Sequence, residues 1–407
     1  MRGTFRFVVL GVCGVMACAT ASSRLPAPAR VTTLVKARPE NAGMRAGLNS
    51  QLDSIMRASI SGGAAPGGSL VVGRHGRIVH IAGYGRLDTA QASPSVDENS
   101  IYDMASLTKV IATTTAAMML EEQGMLDLER TVASYLPEFN APDKSVITVR
   151  MIVTHRGGLE AFAPLYRESK GREQFLSQIN ARPLRSTPGT ATVYSDWDLI
   201  LLQLVIERIT GQTLDTFLAE KVFTPLGMTS TMFNPDSARF WQRVAPTEID
   251  SVRGGLVQGK VHDENANAMG GVSGHAGLFS SATDLAVFAQ MLLNGGEYNG
   301  VRIAKPATIA RWTAPQSSAS SRALGWDTPS NNSSAGRYFS ARSFGHTGFT
   351  GTSIWIDPER GLFVILLTNR VNPTRDNQRH VPLRRAVADA AQMAITDAPL
   401  IDWEASR

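Results

Sequence analysis

SLTKVIATTTAAMML, residues 106–120, places a hydroxyl and an amine one helical turn apart at the start of an uncharged run. Residues three apart on a helix share a face, so Ser106 and Lys109 would lie side by side. A serine hydroxyl is a weak nucleophile until a neighbouring group takes its proton, and a neutral lysine can do this. Burial favours the neutral amine. The stretch therefore predicts acyl transfer through an acyl-serine intermediate.

The same four residues have a simpler interpretation. Ser-x-x-Lys also occurs by chance, as a capped helix start with a solvated lysine. The catalytic interpretation is favoured because Val110 to Leu120 carry no charge, which predicts a buried helix. Ser106 at the start of that helix would also place free backbone N–H groups near a developing oxyanion.

The composition is that of a globular protein. The chain has 407 residues, 43% hydrophobic and 18% charged, enough for one large domain or two lobes. Its formal net charge of +5 resides in residues 1–41, where six basic residues face one acidic residue. Because basic and acidic residues are equal in number in the rest of the chain, composition does not support a nucleic-acid-binding surface. No nucleic-acid partner is expected.

Residues 1–21 resemble an export signal. Arg2 and Arg6 supply its positive charge, and residues 7–17 form an apolar core too short to span a membrane. Residues 15–18, Val-Met-Ala-Cys, are similar to a bacterial lipobox. Ordinary signal-peptidase cleavage and lipidation of Cys18 both remain open. We expect an exported protein, periplasmic or at the outer surface, either soluble or tethered to a bacterial membrane through Cys18.

Cys13 and Cys18 both lie in this leader, so the predicted body cannot contain a disulfide. Residues 22–41 are rich in proline, alanine and arginine, which predicts a flexible linker. The folded domain is assigned to residues 42–398.

The two ends of this domain predict one sheet. Apolar spacing from Leu48 to Met56 indicates a helix. The β-branched runs that predict strands are residues 67–72, 77–83, 351–356 and 361–369, and a closing helix is predicted over 381–395. Together they predict an α+β fold, an antiparallel sheet flanked by helices with an inserted, mainly helical lobe.

The middle of the chain supplies that lobe. Helical patterns cover residues 197–210, 214–223 and 282–293. Residues 317–336 are rich in serine and asparagine and predict a surface loop.

Two further motifs supply the other parts that a serine–lysine mechanism needs. Tyr194-Ser195-Asp196 precedes a helix, where a phenol and a carboxylate could face a cleft. The alternative is a buried tyrosine with Asp196 as the helix N-cap. Residues 345–349, Gly-His-Thr-Gly-Phe, offer small residues that allow close approach to the backbone. The alternative there is a plain strand bend.

The order and spacing of Ser106-x-x-Lys109, Tyr194-x-Asp196 and His346-Thr347-Gly348 resemble the serine β-lactamase and penicillin-binding protein superfamily, in its class C branch. The resemblance covers residues 48 to 393, with supporting segments at 152–159 and 277–285. It implies the β-lactamase/transpeptidase-like fold. That branch includes D-alanyl-D-alanine carboxypeptidases, D-aminopeptidases, esterases and peptidoglycan amidases.

The resemblance also implies roles for single residues. Ser106 would be the acylated nucleophile, Lys109 its activating partner, and Tyr194 the group that carries a proton to and from the leaving atom. The oxyanion would bind to the backbone N–H groups of Ser106 and Phe349. Substrate contacts are expected from Asp196, His346, Thr347 and Gly348. No cofactor and no metal are expected.

Two departures from the family pattern bear on the substrate. Asp196 stands where the family has asparagine; because an ionised carboxylate only accepts, it suits a substrate amide N–H. His346 stands where the family has lysine, which lowers the positive charge available for a substrate carboxylate. The departures argue against an efficient β-lactamase and mildly against a D-alanyl-D-alanine carboxypeptidase.

Residues 261–266 and 270–277 resemble the branch that contains a muramyl-L-alanine amidase. His262, Asp263 and Glu264 are adjacent and would point in divergent directions, so a metal site is not favoured. His262 and His275 are expected to order loops around the cleft. The glycine-rich run 270–277 lacks the strand and helix of a nucleotide-binding loop.

The sequence therefore predicts an exported serine hydrolase that cleaves an amide or ester, with a small-molecule or muropeptide substrate derived from peptidoglycan. A carboxylesterase for short acyl esters, a weak β-lactamase or carboxypeptidase, and a non-catalytic binding protein for cell-wall fragments remain alternatives. Specificity is expected from pocket walls in residues 162–172 and 317–336.

Overall fold

The structure is a computed structural model that describes residues 33–90, 92–330 and 333–402, together with Met1 and Gly3. Apart from those two residues, the predicted leader lies outside the described part of the chain, as do residues 22–32 of the predicted linker. Within the described residues, no helix has the length and apolar character needed to cross a membrane.

The elements alternate between strands and helices along the chain. The strands are β1 Val35–Lys36, β2 Gly67–Arg74, β3 Arg77–Gly85, β4 Ile101–Asp103, β5 Met232–Phe233, β6 Ile249–Asp250, β7 Gly255–Leu256, β8 Leu278–Ser281, β9 Glu297–Tyr298, β10 Val301–Arg302, β11 Phe344–Thr347, β12 Ser353–Asp357 and β13 Leu362–Thr368. The α-helices are α1 Leu48–Ser61, α2 Thr115–Glu122, α3 Val149–Val153, α4 Gly171–Ala181, α5 Asp196–Thr210, α6 Leu214–Leu218, α7 Ser237–Phe240, α8 Glu264–Ala268, α9 Ala282–Leu293, α10 Pro306–Thr313 and α11 Val381–Met393. Short 3₁₀ helices cover Pro39–Ala42, Val132–Ser134 and Leu165–Arg167, and π-helices cover Lys109–Thr114 and Ala219–Phe223.

The main sheet has six strands in the order β1-β3-β2-β13-β12-β11. Successive side chains of β2 point to opposite faces, as the twofold period of a strand requires. Leu70 and Val72 pack in one apolar cluster with α1 and α11, whereas Val71 packs in the other with α9. Both faces are therefore covered by helices, and the α+β prediction is confirmed.

The N-terminal edge of this sheet corrects the predicted linker. Strand β1 pairs parallel with β3, with Val35 opposite Arg77, and the Leu34 N–H donates to the Tyr298 hydroxyl at 3.0 Å. The other pairs in the sheet are antiparallel, as predicted. The linker prediction is therefore wrong for residues 33–41, because the backbone of β1 finds partners on an otherwise open strand edge.

The inserted lobe is built around the helix predicted from residues 106–120. Its first part is the π-helix Lys109–Thr114, which continues into α2 and is buried throughout. The predicted helix 214–223 likewise combines α6 with a π-helical turn.

The prediction of a surface loop over residues 317–336 is wrong for its centre. Ala323, Leu324 and Trp326 are buried in the main apolar cluster, and the Gly325 N–H donates to the Val153 carbonyl. Gly325 has a φ of +78°, and a Cβ there would lie 2.0 Å from Thr114 Oγ1. Its lack of a side chain lets this segment enter the core, and brings the residues around it to the catalytic cleft.

Candidate active site

Ser106 follows a turn that the end of β4 holds in place. Ala105 has a φ of +46°, a left-handed conformation that costs a residue with a side chain about 1 kcal/mol. Its N–H donates to Asp103 Oδ1 at 2.8 Å, and the other oxygen of this buried carboxylate accepts from the His262 N–H at 2.6 Å. The turn places Ser106 one residue later, at the mouth of a cavity.

The predicted contact between Ser106 and Lys109 is confirmed. Lys109 Nζ lies 2.9 Å from Ser106 Oγ, 2.7 Å from Asp196 Oδ1 and 3.0 Å from the His275 carbonyl oxygen. These partners use all three donors of an ammonium group. The Lys109 side chain is buried, so its environment is set by these groups.

The charge of Lys109 depends on its neighbours as well as on its burial. Burial by itself lowers the pKa of this lysine, but the Asp196 carboxylate and Tyr194 outweigh burial and raise the pKa to about 12. The sequence indicates only that Lys109 is buried, because the distance from Asp196 to Lys109 is set by the tertiary structure. In the free protein Lys109 is therefore a cation that donates to Ser106.

Tyr194 lies in the same cavity as Ser106. Its ring centroid is 5.0 Å from Lys109 Nζ and 5.7 Å from the ring of His346. On its other side, the ring of His155 lies 4.7 Å away, and His155 Nδ1 is 3.0 Å from Asp198 Oδ2. Burial lowers the pKa of His155 and raises that of Asp198, which favours a pair without net charge behind Tyr194. The sequence did not single out this pair, although His155 falls in a supporting segment of the resemblance.

Asp196 is the first residue of α5, and the N-cap is Ser195, whose hydroxyl accepts from the Trp197 N–H. The alternative that made Asp196 the cap is therefore wrong. Because Asp196 Oδ1 accepts from Lys109, part of the acceptor capacity of this carboxylate is already used within the protein.

The segment at the edge strand β11 lies directly against the turn before Ser106. A Cβ on Gly348 would lie 2.4 Å from the Met104 carbonyl oxygen and 2.1 Å from Thr352 Oγ1. Thr352 Oγ1 in turn donates to Met104 at 3.1 Å, and Thr350 Oγ1 donates to the Asp103 carbonyl at 2.7 Å. This close approach brings the backbone that follows Gly348 to Ser106.

Two backbone donors remain unused at this junction. Among the described residues, neither the Ser106 N–H nor the Phe349 N–H donates to a protein acceptor. Both residues line the same cavity of about 560 Å³. Paired free N–H groups beside a hydroxyl are the arrangement that stabilises an oxyanion.

We expect Gly348→Ala to lower kcat by about 100-fold, because the added methyl group pushes the Phe349 N–H away from Ser106. Steady-state rates on an activated ester measure the loss, and thermal unfolding checks that the fold persists. Gly47→Ala is the matched control, since Gly47 has no atom within 4 Å of an added Cβ. Unchanged turnover in the Gly348 variant would contradict the assigned position of the oxyanion.

The family's third motif begins with a lysine where this chain has His346. Here a positive charge comes instead from Arg322, on another segment of the chain. His346 is buried, and burial with the nearby Arg322 holds its pKa well below the usual range, so its ring is neutral. Arg322 Nη1 lies 3.5 Å from His346 Nε2, and the guanidinium is 5.0 Å from the centroid of Tyr194. His346 thus supplies no positive charge, as expected, but Arg322 brings a cation to the same cavity. Sequence reasoning missed Arg322 because it lies in the segment predicted to be a surface loop.

The expected pocket walls divide between two cavities. Arg322 and Asp327, from the predicted wall 317–336, line the cavity of Ser106. From the other predicted wall, Tyr166 and Lys170 line a separate cavity of about 660 Å³ that holds no predicted catalytic residue.

The histidine and carboxylate cluster is divided among different partners. His262 Nε2 lies 2.9 Å from Glu248, Asp263 Oδ1 lies 2.9 Å from His275 Nε2, and Glu264 pairs with Arg375. Ligand atoms of Asp196, Asp263 and His275 do lie within 4.8 Å of one another. The Lys109 ammonium lies 2.7 Å from Asp196 Oδ1 at this cluster.

Fold and site together define a serine hydrolase of the penicillin-binding type, with the reactive groups between a helical lobe and the edge of an antiparallel sheet. The family model described as Beta-lactamase matches residues 52–389. The chain therefore belongs to the beta-lactamase family.

Two relatives are similar over most of their length. One, from Escherichia coli (strain K12), is provisionally named a D-alanyl-D-alanine carboxypeptidase and is 32% identical over 403 residues, 90% of this chain and 91% of that protein. The other, the N-acetylmuramyl-L-alanine amidase of Bacillus subtilis (strain 168), is 34% identical over 355 residues, 79% of this chain and 80% of its own.

Solved structures show the same fold. EstCE1, a hydrolase with promiscuous acyltransferase activity, has a TM-score of 0.69 at 23% identity, covering 85% of this chain and 98% of its own. A class C beta lactamase has a TM-score of 0.68 at 17% identity, covering 84% and 98%.

Proposed function

We propose that Ser106 attacks a substrate carbonyl and becomes acylated. The observation that carries the proposal is the 2.9 Å contact of Ser106 Oγ with Lys109, beside the unused N–H groups of Ser106 and Phe349. Lys109 is a cation, so it cannot take the serine proton itself. We assign that step to Tyr194, whose ring centroid lies 5.0 Å from Lys109 Nζ in the same cavity.

The bonds and protons balance over two half-reactions. In the first, the bond from Oγ to the carbonyl carbon forms, the Oγ proton passes to Tyr194, and Tyr194 returns it to the leaving amine or alkoxide as the scissile bond breaks. In the second, a water molecule attacks the acyl-serine, gives its proton to Tyr194, and the Ser106 oxygen takes it back as the acid leaves. No group other than water is consumed.

Asp196→Asn tests the charge assigned to Lys109. The change removes the carboxylate that outweighs burial, so we expect the pKa of Lys109 to fall below about 12 and the alkaline limit of acylation to move to lower pH. Single-turnover acylation by a p-nitrophenyl ester, measured from neutral to alkaline pH, reports the shift. Glu173→Gln removes an exposed carboxylate and is the control. An unmoved alkaline limit would show that Asp196 does not hold the lysine proton.

For the substrate we propose a peptidoglycan-derived muropeptide, cleaved at an amide bond. The names of both relatives, a carboxypeptidase and an amidase, support a cell-wall peptide. Arg322 supports a substrate that carries a carboxylate, because its guanidinium lines the cavity and no carboxylate among the described residues forms an ion pair with it.

A carboxylesterase for short acyl esters is the second candidate. It is favoured by the contact of Asp196 Oδ1 with Lys109, since this uses part of the acceptor capacity that a substrate amide N–H would otherwise meet. Purified protein should be assayed on muramyl-peptides and on short p-nitrophenyl esters. Rapid ester turnover without muramyl-peptide cleavage would remove the amidase proposal.

Arg322→Gln separates these candidates further. We expect KM to rise about tenfold or more for a substrate with a carboxylate on its leaving side, because a charge-assisted hydrogen bond is lost. A neutral ester should be affected little. The measurement is kcat/KM for the two substrates in the same preparation, and an equal loss for both would contradict the carboxylate role.

We also propose that the protein is exported through the leader at residues 1–21, with Cys18 as a site of lipidation. The mass of the mature N-terminus, purified from a bacterial host, tests both statements. An unmodified terminus beyond Cys18 would exclude the lipid anchor, and an intact Met1 would exclude cleavage.

A further inference from the structure

The cavity of Ser106 continues past the edge strand β11 to the start of helix α11. Its far end is formed by buried side chains, and these are Arg370, His380 and Arg384. None of them takes part in the chemistry proposed for Ser106, Lys109 and Tyr194. Their arrangement therefore needs a separate explanation.

Positive charge at this end is only partly balanced among the described residues, since Glu248 and Asp376 act on Arg370 but Glu248 forms its ion pair with Arg375. Arg384 Nη2 donates to the carbonyl oxygens of Gly348 and Thr352, and Arg370 Nε donates to the carbonyl oxygen of Phe349. Carbonyl groups satisfy donors but do not cancel a charge. Neither guanidinium has a carboxylate within ion-pair distance in the described part of the chain. Asp327 is the one acidic residue in the lining, and it accepts from Ser321.

Two buried polar atoms at this end also lack partners. They are Arg384 Nε and His380 Nδ1, on side chains that are 9% and 3% exposed. A buried group of this kind costs free energy unless a ligand or water satisfies it. Both residues lie at the start of α11, a helix of 13 residues whose N-terminus adds partial positive charge.

The pKa values of Arg384 and His380 agree with positive charge that is not fully balanced at this end of the cavity. Burial and the neighbouring Arg370 lower the pKa of Arg384 to about 10. Burial, with Arg384 and Arg370, lowers the pKa of His380 to about 3. The Arg370 guanidinium thus disfavours the charge of Arg384 and keeps His380 neutral, and an anion bound between the two guanidinium groups would relieve their repulsion.

We propose that Arg370, Arg384 and His380 form a second anion subsite, which binds a carboxylate of an acidic peptide while Arg322 binds another carboxylate in the same cavity. The substrate class is thereby narrowed to peptides that carry two carboxylates on one side of the scissile bond. A carboxylate is favoured as the ligand because the free donors lie on separate side chains, and each donor needs only one acceptor oxygen. The inference rests on the proposed function in one respect: it takes the acidic peptide to be part of the substrate that Ser106 attacks.

The test measures binding without turnover. In a Ser106→Ala protein, calorimetry compares N-acetyl-alanyl-glutamate, which has two carboxylates, with the same peptide whose side-chain carboxylate is a carboxamide. We expect the dicarboxylate to bind about tenfold or more tightly. In Arg384→Gln and Arg370→Gln proteins this ratio should fall towards one. Arg342→Gln, which removes an exposed charge outside the cavity, should keep the full ratio.

The outcomes of these binding measurements would support or overturn the second anion subsite. Equal affinity for the two peptides in the Ser106→Ala protein would overturn the subsite, and so would a ratio that survives both arginine changes. Because Arg384 also supports Gly348, Arg384→Lys is included: it keeps the charge, so the ratio should be retained in part even where turnover of a neutral ester falls. A protein that discriminates the peptides but cleaves no muramyl-peptide would support the subsite and overturn the proposed substrate.

Discussion

Ser106→Ala is expected to lower kcat by about 10⁴-fold or more and to abolish any covalent adduct. The hydroxyl is the one group at this junction that lies both within hydrogen-bond reach of Lys109 and beside the free N–H groups of Ser106 and Phe349. The fold should persist, since the methyl group of alanine fits wherever the serine Cβ does. Mass spectrometry of the protein after exposure to cell-wall digests measures the adduct, and its mass identifies the acyl group.

A matched control is Ser61→Ala, an exposed serine on α1 whose hydroxyl donates only to its own helix. It should keep full activity. If the Ser106 variant hydrolysed every tested ester and amide as well as the unchanged protein, the acyl-serine mechanism would be excluded. If neither protein turned over any substrate, a binding role for the site would be favoured.

Lys109→Met should lower kcat by nearly as much, about 10³-fold or more. Ser106 and Lys109 act as a unit, so neither can replace the other. Methionine keeps most of the side-chain volume in this fully buried position, so packing is preserved. The change removes the ammonium that contacts Ser106 Oγ and lies beside the Tyr194 ring. Burst kinetics with an activated ester distinguish slow acylation from slow deacylation.

Asp196 complicates the interpretation of Lys109→Met, since the variant leaves its carboxylate without a cation. A double variant, Lys109→Met with Asp196→Asn, removes both charges and separates lost catalysis from a destabilised fold. Lys260→Met, at an exposed position, is the surface control. Activity in the double variant close to that of the unchanged protein would contradict any catalytic role for the lysine.

Several parts of the fold followed from local pattern. The strands β2, β3, β12 and β13 were predicted within a few residues, because each is an apolar, β-branched run bounded by turn residues. Helix α5 was predicted to end at Gly211, which has a φ of +67°. These features depend on neighbours in sequence, so one chain is enough to indicate them.

Features that depend on distant partners were missed or misjudged. Strand β1 has two residues, too few for any pattern, and forms because β3 has a free edge. The segment around Trp326 is polar on average, yet its apolar residues enter the core. Arg322, carried on that segment, consequently escaped notice.

The sequence by itself determined which groups could react: a serine with a lysine one turn later, a tyrosine motif and a glycine-bearing edge strand in a set order. These follow from spacing along the chain, because a helical turn or a strand places near neighbours in a fixed way. Only the tertiary structure decided their charge states and surroundings. Lys109 keeps its proton because Asp196, which is 87 residues away in sequence, lies 2.7 Å from it. The positive end of the cavity likewise arises because separate segments meet there, and electrostatic energy depends on distance through space.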